Sequence, residues 1–306
     1  MNKIEVSKTI RSWRGLVELD ERFSAASEEW VFRGEAIYRT PKTSLQRVCE
    51  QFEIDSKDVS QLERVLVKEF RRVYPIYEPG RVPDADDAIH WLSLMRHYGT
   101  PTRFLDFTFS LLIAAFFALE APVKSESAGT YMPAAIWAVS KTWLTRHMLS
   151  QLRQIGPPEL ISEWDARKGR AFEKIFWNHA PPLKTVLAVN PLQLHERLHV
   201  QQGVFLCPGD VSISFEQNLI HLAGWRSNAK VFLIDQGCRH DVLWKLRRAG
   251  ISRESLFPGL EGFSESLRVV VPLLFRWYKK MERKGGRIPT NSRNEFLYDK
   301  FDTAIA

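Results

Sequence analysis

Cysteine is scarce in this chain of 306 residues: there are three, Cys49, Cys207 and Cys238, far apart and without a Cys-x-x-Cys pair. A disulfide scaffold and a cysteine-based zinc site are therefore excluded as organising devices. Long apolar runs are also missing. The longest, Leu111 to Leu119, spans nine residues, too few to cross a bilayer as a helix. The opening MNKIEVSKTIRSWRG holds no apolar h-region, so no secretory signal is expected. These absences lead us to expect a cytoplasmic protein that makes no use of the membrane. There is no Gly-x-Ser-x-Gly elbow, no Walker phosphate loop, no Gly-x-Gly-x-x-Gly fingerprint, no repeat and no low-complexity block. The sequence thus lends no support to a serine hydrolase, a P-loop enzyme or a Rossmann domain.

What is present is an ordinary globular composition, 44% hydrophobic and 26% charged. That is enough apolar surface for a sizeable core, and it excludes global disorder. Lys plus Arg is 43 against 36 for Asp plus Glu, a net charge of +7. The excess is uneven. Arg276 to Arg287 reads RWYKKMERKGGR, six basic residues against one acid. Such a run is either a solvated extension or an electrostatic foot for RNA, DNA or an acidic partner. Trp277 and Tyr278 within it could stack on bases or anchor the preceding helix.

Periodicity predicts helices at Leu16 to Phe23, Asp58 to Val73, Asp86 to Tyr98, Ser110 to Leu119, Lys141 to Arg153, Glu159 to Phe176 and His240 to Arg248. Asp86 is the expected cap of the third and Gly99 its stop. Strands are predicted at Trp30 to Phe32, Ala134 to Val139, Leu183 to Val189, Gly203 to Leu206 and Lys230 to Ile234. Tyr74 to Pro83 and Ser252 to Leu260 read as loops, Thr100 to Asp106 as a turn or short extended segment, and Leu267 to Lys280 as helical beyond Pro272. The interspersed elements predict an α+β fold, a central and mostly antiparallel sheet with packed helices. The expected organisation is a leader over 1–24, a main domain over 25–275 and a basic tail over 276–306.

Two segments are dense enough in polar groups to carry chemistry. In Trp30-Val31-Phe32-Arg33-Gly34-Glu35 a guanidinium ends an apolar strand. A partly desolvated arginine needs an acceptor: either an internal carboxylate, or a phosphate or carboxylate ligand gripped by its fork, with Gly34 letting that ligand approach the backbone. The second segment is HYGTPTRFLDFT, residues 97–108, set between an amphipathic helix and an almost wholly apolar one. Its polar groups must be satisfied internally or by a ligand. One reading is an Arg103–Asp106 network that braces the loop. The other is a site lined by His97, Thr102, Asp106 and Thr108.

Phe32-Arg33-Gly34, HYGTPTRFLDFT (97–108), RLHVQQGVF (197–205) and LFPGLEG (256–262) together resemble the FRG domain, a family named for its Phe/Tyr-Arg-Gly motif, in the family's order and over roughly residues 25–270. A strand ending in aromatic-Arg-Gly is also similar to the first motif of Arg-class ADP-ribosyltransferases. That second resemblance implies an ADP-ribosyltransferase-like fold and NAD as substrate, its diphosphate clamped by Arg33. Thr102 or Thr108 would supply the hydroxyl of the second motif. Gln201-Gln202-Gly203 would stand where the family has a (Gln/Glu)-x-Glu motif. Position 203 is Gly rather than Glu, and an amide poorly replaces a carboxylate opposite a developing sugar cation. Asp106, Glu35, Glu196 and Glu216 are the possible substitutes.

The resulting expectation is an enzyme that cleaves NAD and passes ADP-ribose to a macromolecule, nucleic acid being the favoured acceptor. It would act as a toxin or phage-defence effector restrained by an antitoxin or other protein. Its catalytic residues would be Arg33, Thr102, Asp106, Thr108 and Gln202, with Arg33, Gly34, His97, Tyr98 and Arg103 holding the cofactor. The alternative is a non-catalytic module that reads phosphate or carboxylate. A third pattern, His195-Glu196-Arg197-Leu198-His199, matches His-Glu-x-x-His letter for letter. The strand that soon follows leaves too little helix for a zinc protease, and no metal is expected. Cys207 has no catalytic context and reads as packing.

Overall fold

The computed structural model describes residues 3–80, 82–125, 129–155, 172–190 and 196–267. It divides into two compact units, Met1–Ile251 and Ser252–Ala306. The basic run at 276–287, the expected helix from Leu267 onward and most of the one expected at 159–176 lie outside the described residues.

The first unit is built on a seven-stranded sheet ordered β1-β7-β4-β2-β3-β6-β5. Its strands are β1 (Val6–Ile10), β2 (Trp30–Glu35), β3 (Leu105–Thr108), β4 (Ala134–Ser140), β5 (Val186–Val189), β6 (Gly203–Pro208) and β7 (Ala229–Ile234). Every neighbouring pair is antiparallel except β1 with β7. The α+β architecture with a mostly antiparallel sheet is thus the observed one. The helices are α1 (Trp13–Ser24), α2 (Ser44–Gln51), α3 (Val59–Tyr77), α4 (Ala88–His97), α5 (Leu111–Glu120), α6 (Lys141–Ile155) and α7 (Glu196–Val200), followed by α8 (Phe215–Ile220), α9 (Trp225–Asn228) and α10 (Arg239–Arg248).

Local chemistry explains the boundaries. Ser12, Asp87 and Ser110 cap α1, α4 and α5 by accepting a hydrogen bond from the third residue on, and Thr43 with Gln46 forms a capping box on α2. The cap of α4 is Asp87, one residue after the expected Asp86. Gly99, at φ +84°, turns the chain out of α4. Helix α3 overruns its expected end and continues through Pro75 to Tyr77. A proline there removes one amide hydrogen bond in the last turn, which a helix that long tolerates. In the second unit, the expected loop contains a short helix, α11 (Arg253–Leu256), with Ser252 and Ser255 forming its capping box.

The expected leader is part of the sheet. Residues 6–10 form the edge strand β1, and Ile4, Ile10, Leu16 and Leu19 are buried. The polar residues of VSKTI face outward from the edge and mask the strand in the sequence. On one face of the sheet, Val31, Phe107, Trp137, Val204 and Phe215 share a core with Trp143 and Leu144. On the other, α1 brings Phe23 against Phe32 and Phe232, with ring centroids 5.0 and 5.8 Å apart. Helix α5, apolar on nearly every side, lies directly against β2 at Gly34. A second cluster fills the space between α3, α4, α6 and the β5–β6 side, where Phe104 stacks on Phe205 at 4.8 Å.

Candidate functional site

The sheet is weakest at its middle. Strands β2 and β3 share one registered pair, Phe32 with Thr108. By contrast, β2 and β4 share six pairs and β3 and β6 share four. Beyond Phe32 the ladder is replaced by a side chain: Arg33 donates from Nη1 to the carbonyl oxygen of Asp106 at 2.8 Å. At this seam lies a cavity of about 240 Å³, walled by Phe32, Arg33 and Gly34 of β2, Asp106, Phe107 and Thr108 of β3, Phe117 of α5, and Arg197 and Gln201 from α7 and the turn after it.

Arg33 also donates from Nε to Glu35 Oε1 at 2.6 Å, and its side chain keeps 16% of its surface exposed. Among the described residues no hydrogen bond engages Nη2, so the fork is pinned on two sides with one edge left over. Glu35 is shared: its Oε2 also accepts from Arg39 Nε at 3.3 Å. The Asp106 carboxylate accepts from Arg96 Nε at 3.1 and 3.3 Å and from Arg96 Nη2. Partial burial pushes the Asp106 carboxyl up, but Arg96, Arg33 and Arg197 outweigh it and hold the carboxyl below the usual aspartate range. Burial pulls Arg96 down and Asp106 more than restores it. Arg47, on α2, is pushed down by burial and then by Arg33 and Arg96, with Glu35 offsetting part of this. Five guanidinium groups, of Arg33, Arg39, Arg47, Arg96 and Arg197, therefore influence one neighbourhood that holds two carboxylates, Glu35 and Asp106. Arginine forks gathered around a cavity suit an anion with planar, doubly accepting oxygens.

The structure brings Arg33, Gly34, Asp106 and Thr108 together at the cavity. Thr108 is 4% exposed; its hydroxyl donates to the Gln201 carbonyl at 2.8 Å and accepts from the Ser110 amide at 3.1 Å. It fastens the α7 turn to the sheet. Gln202 lies beside the wall: it has φ +47°, its side chain is exposed, and its carbonyl accepts from the Phe109 amide at 3.0 Å, while Gln201 lines the cavity. His97 and Tyr98 are exposed at the end of α4. Burial and Arg197 both lower the His97 pKa, which places that imidazole in reach of the Arg197 charge.

Thr102 and Arg103 lie away from the cavity. Thr102 is fully buried and clips α2 to the loop, its carbonyl accepting from the Ser44 hydroxyl and the Leu45 amide at 3.2 Å each. Arg103 is 0% exposed and pairs with Glu63 of α3, Nε to Oε2 at 2.6 Å and backbone amide to Oε1 at 3.0 Å. The bracing network is thus Arg103–Glu63 with Arg96–Asp106, in place of an Arg103–Asp106 pair. Gly34 has a packing reason to be glycine, since a Cβ there would sit 2.0 Å from the Ala114 carbonyl oxygen of α5. At Gly203, where the transferase motif expects an acid, a Cβ would meet Leu198 Cδ1 at 2.2 Å. Of the other acids, Glu216 accepts from the Ile4 amide at 2.6 Å and the Thr40 hydroxyl at 2.8 Å, away from the cavity. His195 lies outside the described residues, and among the described residues no cluster of three His, Cys, Asp or Glu could hold a metal. Cys207 is buried and its thiol pushed far up by that burial.

Residues 28–127 match the FRG domain family. The chain carries an FRG domain. The matched segment contains two of the four motifs, Phe32-Arg33-Gly34 and residues 97–108, and supplies β2 and β3, the two strands of the seam. Arg197 and Gln201, which line the cavity from α7 and the turn after it, lie beyond the matched segment. No curated protein and no solved structure matches the chain. Sequence reasoning gave no role to Arg39, Arg47, Arg96 or Arg197. The signal for Arg197 was its place at the head of the third quoted motif; the other three carry no local mark.

Proposed function

We propose that this FRG-domain protein is an ADP-ribosyltransferase-like enzyme that cleaves NAD and transfers ADP-ribose to a macromolecule. One observation carries the reading: a cavity walled by Arg33 and Arg197 also holds a carboxylate, Asp106, kept ionised by its neighbours. A pocket that only gripped phosphate gains nothing from a fixed negative charge, which repels the ligand. NAD carries both signs close together, an anionic diphosphate and a cationic nicotinamide ribose. In this reading Arg33 and Arg197 take the diphosphate. Asp106 faces the ribose, whose anomeric carbon grows more positive as the bond to nicotinamide lengthens. The nicotinamide leaves with the bonding pair, and a lone pair of the acceptor forms the new bond to the anomeric carbon while the acceptor's proton passes to water. An ionised Asp106 acts through charge and not as a proton donor. Such an activity harms its host when unrestrained, so the role proposed with it is a toxin or phage-defence effector held by a partner protein.

A second reading is favoured by specific contacts. Asp106 is already neutralised by Arg96, and Leu198 fills the space beside Gly203. With a cavity of about 240 Å³, the site could be a reader of a phosphate-bearing group without catalysis. Incubation of the pure protein with labelled NAD and separate pools of RNA, DNA and protein distinguishes the two. Label transfer lost in Arg33→Ala supports the transferase, and the labelled pool names the acceptor. Nicotinamide release alone makes it an NAD glycohydrolase. A folded protein with neither turnover nor NAD binding leaves the reader.

A further inference from the structure

We infer that the arginines outside the cavity and the exposed Tyr98 ring form a track for single-stranded nucleic acid leading to the Arg33 site. The inference rests on reading that cavity as a phosphate site, and it names the macromolecule that reaches it.

Geometry supplies the first support. Arg33 and Arg39 share the two oxygens of one buried carboxylate, Glu35, and the Arg39 side chain remains 56% exposed. Two guanidinium groups on one acid leave a positive charge uncompensated. Arg96 pairs with the Asp106 carboxylate, and the same Arg33 reaches the Asp106 carbonyl, so three guanidinium groups share two carboxylates. Arg47 donates from Nη1 to the Lys42 carbonyl at 2.7 Å and feels Arg33, Arg96 and Arg39 as like charges. A fold does not gather like charges for its own stability, since each adjacent pair costs energy unless an anion lies between. The spread of these groups over β2, the segment after it, α2 and α4 suits several successive phosphates better than one.

The second support is aromatic. Arg96, His97 and Tyr98 are consecutive at the end of α4. Tyr98 is 56% exposed, yet its ring is held by Phe70 and Tyr74 at 6.5 and 6.3 Å and by His97 at 4.9 Å. A ring held by its neighbours and more than half exposed, two residues along the chain from Arg96, is a stacking platform for an unpaired base. An acidic peptide or an anionic lipid headgroup would use the arginines and leave the ring idle. A duplex would hide its base faces.

The test uses the whole protein without NAD and fluorescent RNA and DNA single strands of about twelve nucleotides, with affinity read by anisotropy over a KCl series. Wild type should bind, with log affinity falling linearly in log salt. The Arg39→Gln/Arg47→Gln double variant should flatten that slope by about 1.4, two single-strand phosphate contacts. Tyr98→Ala should weaken binding about tenfold, and Tyr98→Phe should retain it. An unchanged slope in the double variant overturns the track, and so does equal binding of a poly-glutamate peptide or an anionic vesicle. A loss in Tyr98→Phe equal to that in Tyr98→Ala overturns the stacking role. Intact oligonucleotide binding with no NAD turnover removes the transferase reading alone. Intact NAD turnover with no oligonucleotide binding removes the track alone.

Discussion

Arg33 stands where three demands meet: it anchors to Glu35, reaches across to the Asp106 carbonyl, and presents its remaining edge to the cavity. A lysine has one ammonium for all three and no planar fork. Arg33→Lys should therefore lose NAD-dependent label transfer as completely as Arg33→Ala, with a circular-dichroism spectrum like that of wild type. Gly34 makes a different prediction. A methyl group there would meet the backbone of α5 at 2.0 Å from an oxygen and 2.6 Å from the Ala118 nitrogen. Backbone cannot step aside as a side chain can, so Gly34→Ala should cost about 3 kcal/mol or more and lower the melting temperature sharply. Asp106 gives a pH dependence. Its folded-state carboxyl titrates below the unfolded one, so it stabilises the protein above the ordinary aspartate pKa of about 3.9, and that stabilisation fades as pH falls through the folded-state value. The melting temperatures of wild type and Asp106→Asn should lie apart at neutral pH and converge in acid.

Elements written in strong periodicity were legible in the sequence. Helices α4, α5 and α6 and strands β4 and β7 follow from apolar spacing and caps, because their own residues make both signals. Strand β3 was only partly legible: a turn or short extended segment was expected up to Asp106, and Leu105-Asp106-Phe107-Thr108 is too short, with two polar residues, to show a pattern of its own. The site was half legible. Arg33 and the 97–108 segment stood out locally. The Glu63 partner of Arg103, 40 residues away, had no sequence mark. That pair belongs to the element scale, because it ties α3 to the chain entering β3, to the Gly209 carbonyl at 3.2 Å, and to Trp177, which donates to Glu63 at 3.0 Å. Glu63→Ala would strand a wholly buried guanidinium. We expect a loss of about 3–5 kcal/mol, read as a shifted urea midpoint, whereas the exposed Arg14–Glu18 pair should be removable with little effect.

Across the whole molecule, positive charge is concentrated. The run at 276–287 holds six basic residues and the cavity's surroundings five arginines, in a chain whose excess is +7. What remains is close to neutral, so the field around the cavity rests on the cavity's own arginines. If that field serves the proposed transferase, production of the wild-type chain should arrest growth of a bacterial host. Arg33→Ala should restore growth at equal protein level. Arrest that persists in Arg33→Ala would separate toxicity from the cavity.

The seam between β2 and β3 has one more consequence. Four strands, β1, β7, β4 and β2, lie on one side of it and three, β3, β6 and β5, on the other. Across it run a single backbone pair and the Arg33 guanidinium. The residue proposed to hold the diphosphate is thus also a suture between the halves of the sheet. Occupancy and cohesion are linked variables here: a bound diphosphate that immobilises Arg33 would slow amide exchange along both flanking strands, and a chain that lost this arginine would forfeit recognition and breathe along the same line.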